Sequence, residues 1–217
     1  MPQMRRKTMG RPREFDLDIV LDAALRLFWQ QGYEGTSYRD LTEATGVSPS
    51  GLYAVFGNKQ GLFCKALERY EQFYLKEFER ALQQPNARRV IEKYLTDLLD
   101  VISSSGNPKG CLVLNGALAC SKEAAPVRQI LEDLRRKKED LLSARLQQAC
   151  SAGEFRANTN AHTLACLVTT YSHGLAVQAA SSADHQHLLD SIAQFVDGLP
   201  LAERTGRESA DRQVVGV

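Results

Sequence analysis

Apolar residues in this chain recur three and four positions apart, no long run alternates with period two, and glycine and proline fall between the apolar stretches. Such a pattern supplies helices and no sheet, so the expected class is all-α, with helices burying one another. The first helix is predicted from about Leu17 to Gln31, with Asp16 as its cap and Gly32 as its stop. Its polar residues Asp18, Asp22, Arg26 and Gln30 repeat every fourth position and make one narrow stripe. Val20, Ala23, Ala24, Leu27 and Phe28 form the main apolar face, with Leu21, Leu25 and Trp29 beside it. A helix with so thin a polar stripe is mostly surrounded by others.

A short helix follows from about Tyr38 to Thr45, capped by Ser37 and broken by Gly46. Ser48 caps the next, with Pro49 at its first position, where a missing N–H is harmless. That helix ends near Phe56 and Gly57, and a long amphipathic helix runs from about Lys59 to Gln83, with Pro85 just beyond. Further helices are expected at about Arg88–Ser103, Cys111–Ser121, Pro126–Ala152, Ala161–Ala180 and His185–Leu199.

The 217 residues are 43% hydrophobic and 24% charged, ordinary for a globular protein with a real core. Net charge is +1, so attraction to nucleic acid must come from a local patch. One exists: residues 1–13 carry Arg5, Arg6, Lys7, Arg11 and Arg13 without an acid. The first twenty residues lack the apolar region of a signal peptide, and no stretch is long and apolar enough to span a membrane, so the expectation is a soluble, cytoplasmic protein. The cysteines Cys64, Cys111, Cys120, Cys150 and Cys166 are odd in number, widely spaced and form no CxxC pair. They are expected as reduced thiols, with no metal and no cofactor.

The segment YRDLTEATGVSPSGLYAVFG, from Tyr38 to Gly57, has the spacing of a helix-turn-helix. Leu41 and Val47 point inward, and Gly46 sits where the turn needs positive φ. Leu52, Val55 and Phe56 anchor one face of the second helix, and Ser50, Gly51, Tyr53 and Ala54 occupy the other. With nothing bulky on it, that second face can enter a major groove.

The run from Phe15 through Phe63 resembles the DNA-binding domain of the tetracycline-repressor (TetR/AcrR) family. The matching residues are Ala23-Ala24-Leu25-Arg26-Leu27-Phe28, Gly32-Tyr33-Glu34-Gly35-Thr36-Ser37, Leu41, Gly46-Val47-Ser48, Gly51-Leu52-Tyr53, Phe56 and Lys59. Thr42 and Thr45 depart from it, standing where alanine is common. The resemblance implies a basic arm (1–14), a helix-turn-helix domain (15–58, motif 38–57), a helical effector-binding and dimerisation domain (59–202), joined through the long helix, and a disordered tail (203–217). Expected DNA contacts are Thr36, Arg39, the Ser48 cap, Pro49, Ser50, Gly51 and Ala54, with Arg11 and Arg13 from the arm. The resemblance implies phosphate contacts for Tyr53 and Lys59. It also implies a homodimer on an operator in double-stranded DNA, most simply a repressor. Dimerisation is assigned to the last two long helices, here through Leu164, Leu167, Val168, Tyr171, Leu175, Leu188, Ile192 and Phe195.

The family's C-terminal helices enclose a cavity for a small-molecule effector, for which Tyr74, Phe78, Tyr94, Leu98, Asn115, Leu118, Tyr171 and His173 are the candidates here. The start Gly110-Cys111-Leu112 resembles a branch whose members sense electrophiles or oxidants through cysteine, while the residues by themselves favour Cys111 as a small buried hydrophobe. Arg135-Arg136-Lys137-Lys138, flanked by acids, reads as a solvated face with pairs such as Glu132–Arg136. No HExxH, P-loop or nucleophile-elbow pattern points to an enzyme. A helical binding module without DNA function is the other rival.

Overall fold

The computed structural model describes residues 16–114, 121–122, 124–181 and 183–202, the side chains of 73–75 excepted. They form α1 (Leu17–Gly35), α2 (Tyr38–Thr45), α3 (Pro49–Phe56), α4 (Lys59–Leu82), α5 (Ala87–Ser103), α6 (Ala125–Ser151), α7 (Ala161–Ala180) and α8 (His185–Asp197). The helix expected at Cys111–Ser121 is described only at 112–114, and 115–120 lie outside the described residues, as do the basic arm and the tail. Among the described residues no helix is long and apolar enough to cross a membrane.

The helix ends follow local chemistry. Asp16 accepts the Asp18 N–H at 2.9 Å, and Ser37 and Asp40 cap α2 reciprocally. Asn58, Asn86, Asn160 and Asp184 each accept a backbone N–H at the start of the helix that follows. Gly32, expected to end α1, kinks it instead: its φ of 73° breaks the ladder and one more turn follows to Gly35. The Gly32 carbonyl freed by the kink accepts the Thr36 hydroxyl at 2.7 Å.

Two cores result. The first gathers Val20, Ala24 and Phe28 of α1, Leu41 of α2, Leu52 of α3 and Phe63 of α4, with the Phe28 and Phe63 rings edge to face at 5.1 Å. It also includes Leu112 and Val113 and, from the start of α6, Val127 and Leu131. The second is a helical bundle in which α6 packs on α7, and α5 packs on α4, α7 and α8. Leu95, Leu99, Leu146, Val168 and Ile192 lie inside it. The α4 residue Arg69 clamps α1 by forking onto Asp22, at 2.5 and 2.9 Å, and reaching Asp18 at 2.8 Å.

Gly61 shows how closely α3 and α4 meet, because a Cβ there would lie 2.1 Å from the Phe56 carbonyl oxygen. Glycine to alanine inside a helix ordinarily stabilises by about 1 kcal/mol. Here the sign reverses: Gly61→Ala lowers the urea unfolding midpoint, and a midpoint at or above that of the parent would show that the α3–α4 corner yields freely.

Candidate nucleic-acid interface and inner cavity

Gly46 takes φ 69° and ψ 9°, the left-handed conformation that ends α2 and turns the chain into α3. Val47 is buried behind it, and the Ser48 hydroxyl accepts the Gly51 N–H at 3.2 Å and lies 3.1 Å from the Ser50 hydroxyl. Leu52 is buried and holds α3 down. Pro49, Ser50, Tyr53 and Ala54 are exposed and Gly51 is half-buried, so the outward face carries small groups around one aromatic ring. Val55 departs from expectation. It is 48% exposed rather than an inward anchor, because on so short a helix Leu52 and Phe56 suffice to fill the contact with the core.

Tyr53 stacks on Tyr38 with centroids 4.7 Å apart and planes 19° from parallel. Burial first, then the hydrogen bond with Tyr53, pushes the Tyr38 phenol up to about 12, which keeps it protonated at physiological pH. Lys59 lies half-buried with its ammonium 4.5 Å from the Tyr33 ring centre. Burial lowers its pKa, against the pull of Glu34 and Asp40. Arg39 is exposed on α2. Thr36 is a correction: its side chain is wholly buried and its hydroxyl is committed to Gly32, so it offers no donor to a phosphate. Arg11 and Arg13 lie outside the described residues. Sequence reasoning missed Tyr38 and Tyr33 as the aromatic supports, although both flank the glycine-bounded turns.

An open cavity lies between α4, α5, α6, α7 and the segment around Cys111. Of the residues expected to line it, Tyr94, Leu98 and His173 do so, and Phe78 lines an adjoining space of about 310 Å³ that shares Tyr94, Leu98 and Lys138. Tyr171 does not line either. It stacks on Phe195 at 4.1 Å and its hydroxyl lies 2.7 Å from that of Ser191, because α8 covers that side of α7. The Tyr74 side chain, Asn115 and Leu118 lie outside the described residues. Cys111 forms part of the wall, its sulfur 3.6 Å from the Tyr70 hydroxyl.

The basic run on α6 is not one solvated face. Arg135 and Lys138, three apart, line the cavity, while Arg136 and Lys137 are exposed. The expected Glu132–Arg136 pair is replaced by Arg128–Glu132 at 3.8 Å and Arg136–Asp133 at 3.7 Å. The signal for the inward pair was the spacing of Lys138 from the apolar Leu131, Leu134 and Leu142.

The candidate dimer residues divide. Leu164, Val168, Leu175, Leu188 and Ile192 are at most 5% exposed and belong to the protomer's own core. Leu167 is 50% exposed, and with Val177 at 55% it lies on the outer side of α7 together with exposed Cys166, Thr170 and Gly174. Phe195 is half-buried beside Tyr171. Periodicity had marked α7 as apolar without separating its inner from its outer side.

The interface and the cavity wall are joined. The Trp29 indole N–H, buried on α1, donates to the Gly110 carbonyl at 2.8 Å, and Arg26 donates to the Gly106 carbonyl at 2.8 Å. The indole meets Tyr70 edge to face at 5.1 Å. Glu34 accepts the Ser121 N–H at 2.8 Å, and hydrogen bonding with Ser121, from its side chain first and then its backbone, lowers the pKa of the Glu34 carboxyl. Trp29→Phe leaves the Gly110 carbonyl without its donor, and unfolding free energy in urea is expected to fall by about 1–3 kcal/mol. An unchanged value would mean that water replaces the indole at no cost.

Residues 20–65 match the family described as bacterial regulatory proteins, tetR family, and residues 87–195 match the tetracyclin repressor-like C-terminal domain. The chain is 32% identical over 189 residues to the HTH-type transcriptional repressor ComR of Escherichia coli strain K12, covering 86% of this chain and 90% of that protein. Among solved structures, a cysteine mutant of the TetR family transcriptional regulator CifR, complexed with 26-base-pair operator DNA, shares 34% identity and a TM-score of 0.83 over 88% of this chain and all of its own (100%). The reduced form of NemR from Escherichia coli shares the fold, with a TM-score of 0.71 at 22% identity over 85% of this chain and 96% of its own.

Proposed function

The chain belongs to the tetR family of bacterial regulatory proteins and is a DNA-binding transcriptional regulator, and from there we propose that it acts as a repressor, a homodimer seated on a palindromic operator and released by a small molecule in the inner cavity. Membership sets aside an enzyme and a helical module without DNA function. The observation that carries the reading is the free face of α3, small groups around an exposed Tyr53 on a helix pinned from behind by Leu52.

In this reading Ser48 presents the N-terminus of α3, whose unpaired N–H groups and positive dipole end favour a phosphate. Pro49, Ser50, Gly51 and Ala54 enter the groove. Tyr53 and Lys59 reach the backbone on either side, Lys59 by swinging off Tyr33. Arg39 adds a phosphate contact, and Arg11 and Arg13 follow the minor groove. Between Gly46 and Asn58 there is no arginine or lysine. Bidentate guanine recognition, at about 1–3 kcal/mol per pair, is therefore not available to α3, and affinity leans on phosphates and groove shape.

One such helix grips few bases, so two are needed about 34–36 Å apart, held by symmetry. The outer side of α7, with Leu167 and Val177, and the neighbouring Phe195 supply an apolar seam for a second copy. An effector that favours one spacing of the two α3 helices by about 1–3 kcal/mol changes operator affinity roughly 5- to 150-fold. The Trp29–Gly110 bond and the Tyr70 ring give it a route from the cavity to α1.

Selection of bound duplexes from a random pool is expected to yield an inverted repeat, and log affinity for it to fall linearly with log salt. Tyr53→Ala is expected to weaken binding about tenfold, as a loss of about 1.4 kcal/mol implies, with the unfolding midpoint little changed. Leu167→Arg is expected to sediment as a monomer and to lose operator binding at concentrations where the parent binds. Binding that ignores salt, or a Leu167→Arg protein that remains dimeric, would overturn the corresponding part.

A second reading uses the same scaffold. Cys111 is in the cavity wall, where a reagent entering the cavity meets its sulfur, so its modification can take the place of a bound effector. Here a maleimide or hypochlorite is expected to lower operator affinity of the parent and to leave Cys111→Ser unaffected. Full modification of Cys111 with unchanged affinity would discard it.

A further inference from the structure

The wall of the inner cavity carries two cations, and these select the chemical class of the effector. We propose that the cavity takes an anionic effector, a small and largely apolar molecule whose carboxylate is held by Lys138 with Arg135 beside it. This ligand class rests on the cavity being the effector site.

Lys138 is half-buried in the cavity wall, and its ammonium lies 5.6 Å from the Phe78 ring centre. Among the described residues neither Lys138 nor Arg135 has an ion-pair partner within 4.0 Å or a hydrogen bond. The cavity's two carboxyls do not fill that role. Neither lies within 4.0 Å of the two cations: Glu139 accepts the Thr169 hydroxyl at 3.2 Å, and burial pushes the Glu71 carboxyl up against the pull of Lys137 and Lys138. Burial pushes the Lys138 ammonium down, against the smaller pull of Cys111 and Glu71.

The remaining lining fixes the rest of the ligand. Leu98, Leu114, Leu134 and Ala176 are apolar, which suits a hydrocarbon or aromatic body. The Tyr94 hydroxyl donates to Ser172 at 3.2 Å deep in the wall, so that polar pair is already satisfied. An incoming carboxylate therefore gains most at Lys138, where a charge-assisted hydrogen bond can form. A cationic ligand placed at Lys138 and Arg135 meets two like charges there, with Glu71 and Glu139 elsewhere in the wall, and a neutral one leaves all four as they were. Phe78, Tyr94 and Tyr70 make an aromatic acid a suitable probe.

The test uses the full-length protein and an isosteric series: phenylacetate, 2-phenylethanol and phenethylamine. Binding is read from Trp29, the single tryptophan of the chain, which lies against cavity-wall Tyr70 at 5.1 Å. Operator affinity is read in parallel on the selected duplex. Phenylacetate is expected to bind at least tenfold tighter than the alcohol, with the amine weakest. Lys138→Met is expected to erase the acid's advantage without altering alcohol binding, and Lys138→Arg to keep most of it, which separates loss of charge from misfolding. Equal binding of acid and alcohol, an advantage that survives Lys138→Met, or no response to any probe up to millimolar concentration overturns the proposal. If the acid binds through Lys138 yet operator affinity stays constant, the ligand class stands and the effector reading falls. If the alcohol binds equally and releases the operator, the effector reading stands and the ligand class falls.

Discussion

The hydrogen bond from the Trp29 indole to the Gly110 carbonyl ties the first helix to the wall of the inner cavity. It is buried, so its loss leaves a dry carbonyl, and neither partner can move far without the other. Trp29 lies on α1, which packs against both α2 and α4, while Gly110 precedes the cavity-wall residue Cys111. Tyr70 closes the arrangement by touching the indole on one side and the Cys111 sulfur on the other. The segment 110–114 thus belongs to the cavity and to the first core at once, and Cys111 packs against both cores. A close-packed contact of this kind transmits a shift instead of absorbing it.

The outward face of α3 and its neighbours, the proposed DNA-binding surface, is arranged differently. Its side chains are held by one another: Tyr53 lies on Tyr38, Lys59 lies over Tyr33, and the Ser48 and Ser50 hydroxyls adjoin. Stacked phenols lose little freedom on meeting a phosphate, because their rotamers are already restricted before contact. Such a surface, without a basic residue on α3, gains specificity from shape and from two-fold spacing more than from base-edge bonds. In the proposed homodimer the second copy would supply that spacing.

Much of this was legible along the chain. The glycine-centred turn, the Ser37 and Ser48 caps and the anchors Leu41, Val47 and Leu52 depend on neighbours within four residues, and each stands where the spacing put it. The pairing of Tyr38 with Tyr53 did not follow, since the two rings are fifteen positions apart and meet only once α2 and α3 have turned on Gly46. Thr36 illustrates the opposite failure: a hydroxyl near a helix start reads as an outward donor until the kink at Gly32 turns it to a carbonyl four residues back. On α6, Arg135 and Lys138 lie among flanking acids that suggest surface pairs. Their inward course depends on α4, α5 and α7 leaving a space for them.

By itself, then, the order of residues determined most of the described helices, their caps, the helix-turn-helix and the family, because caps, positive φ and a period of 3.6 are local properties. Tertiary structure alone decided which apolar residues of α7 serve the protomer and which face outward, and which cations of α6 enter the cavity. It also decided that Trp29 reaches Gly110 across 81 positions. The physical reason is that helical spacing assigns a residue to a face, whereas the neighbour met by that face is set by the packing of distant segments.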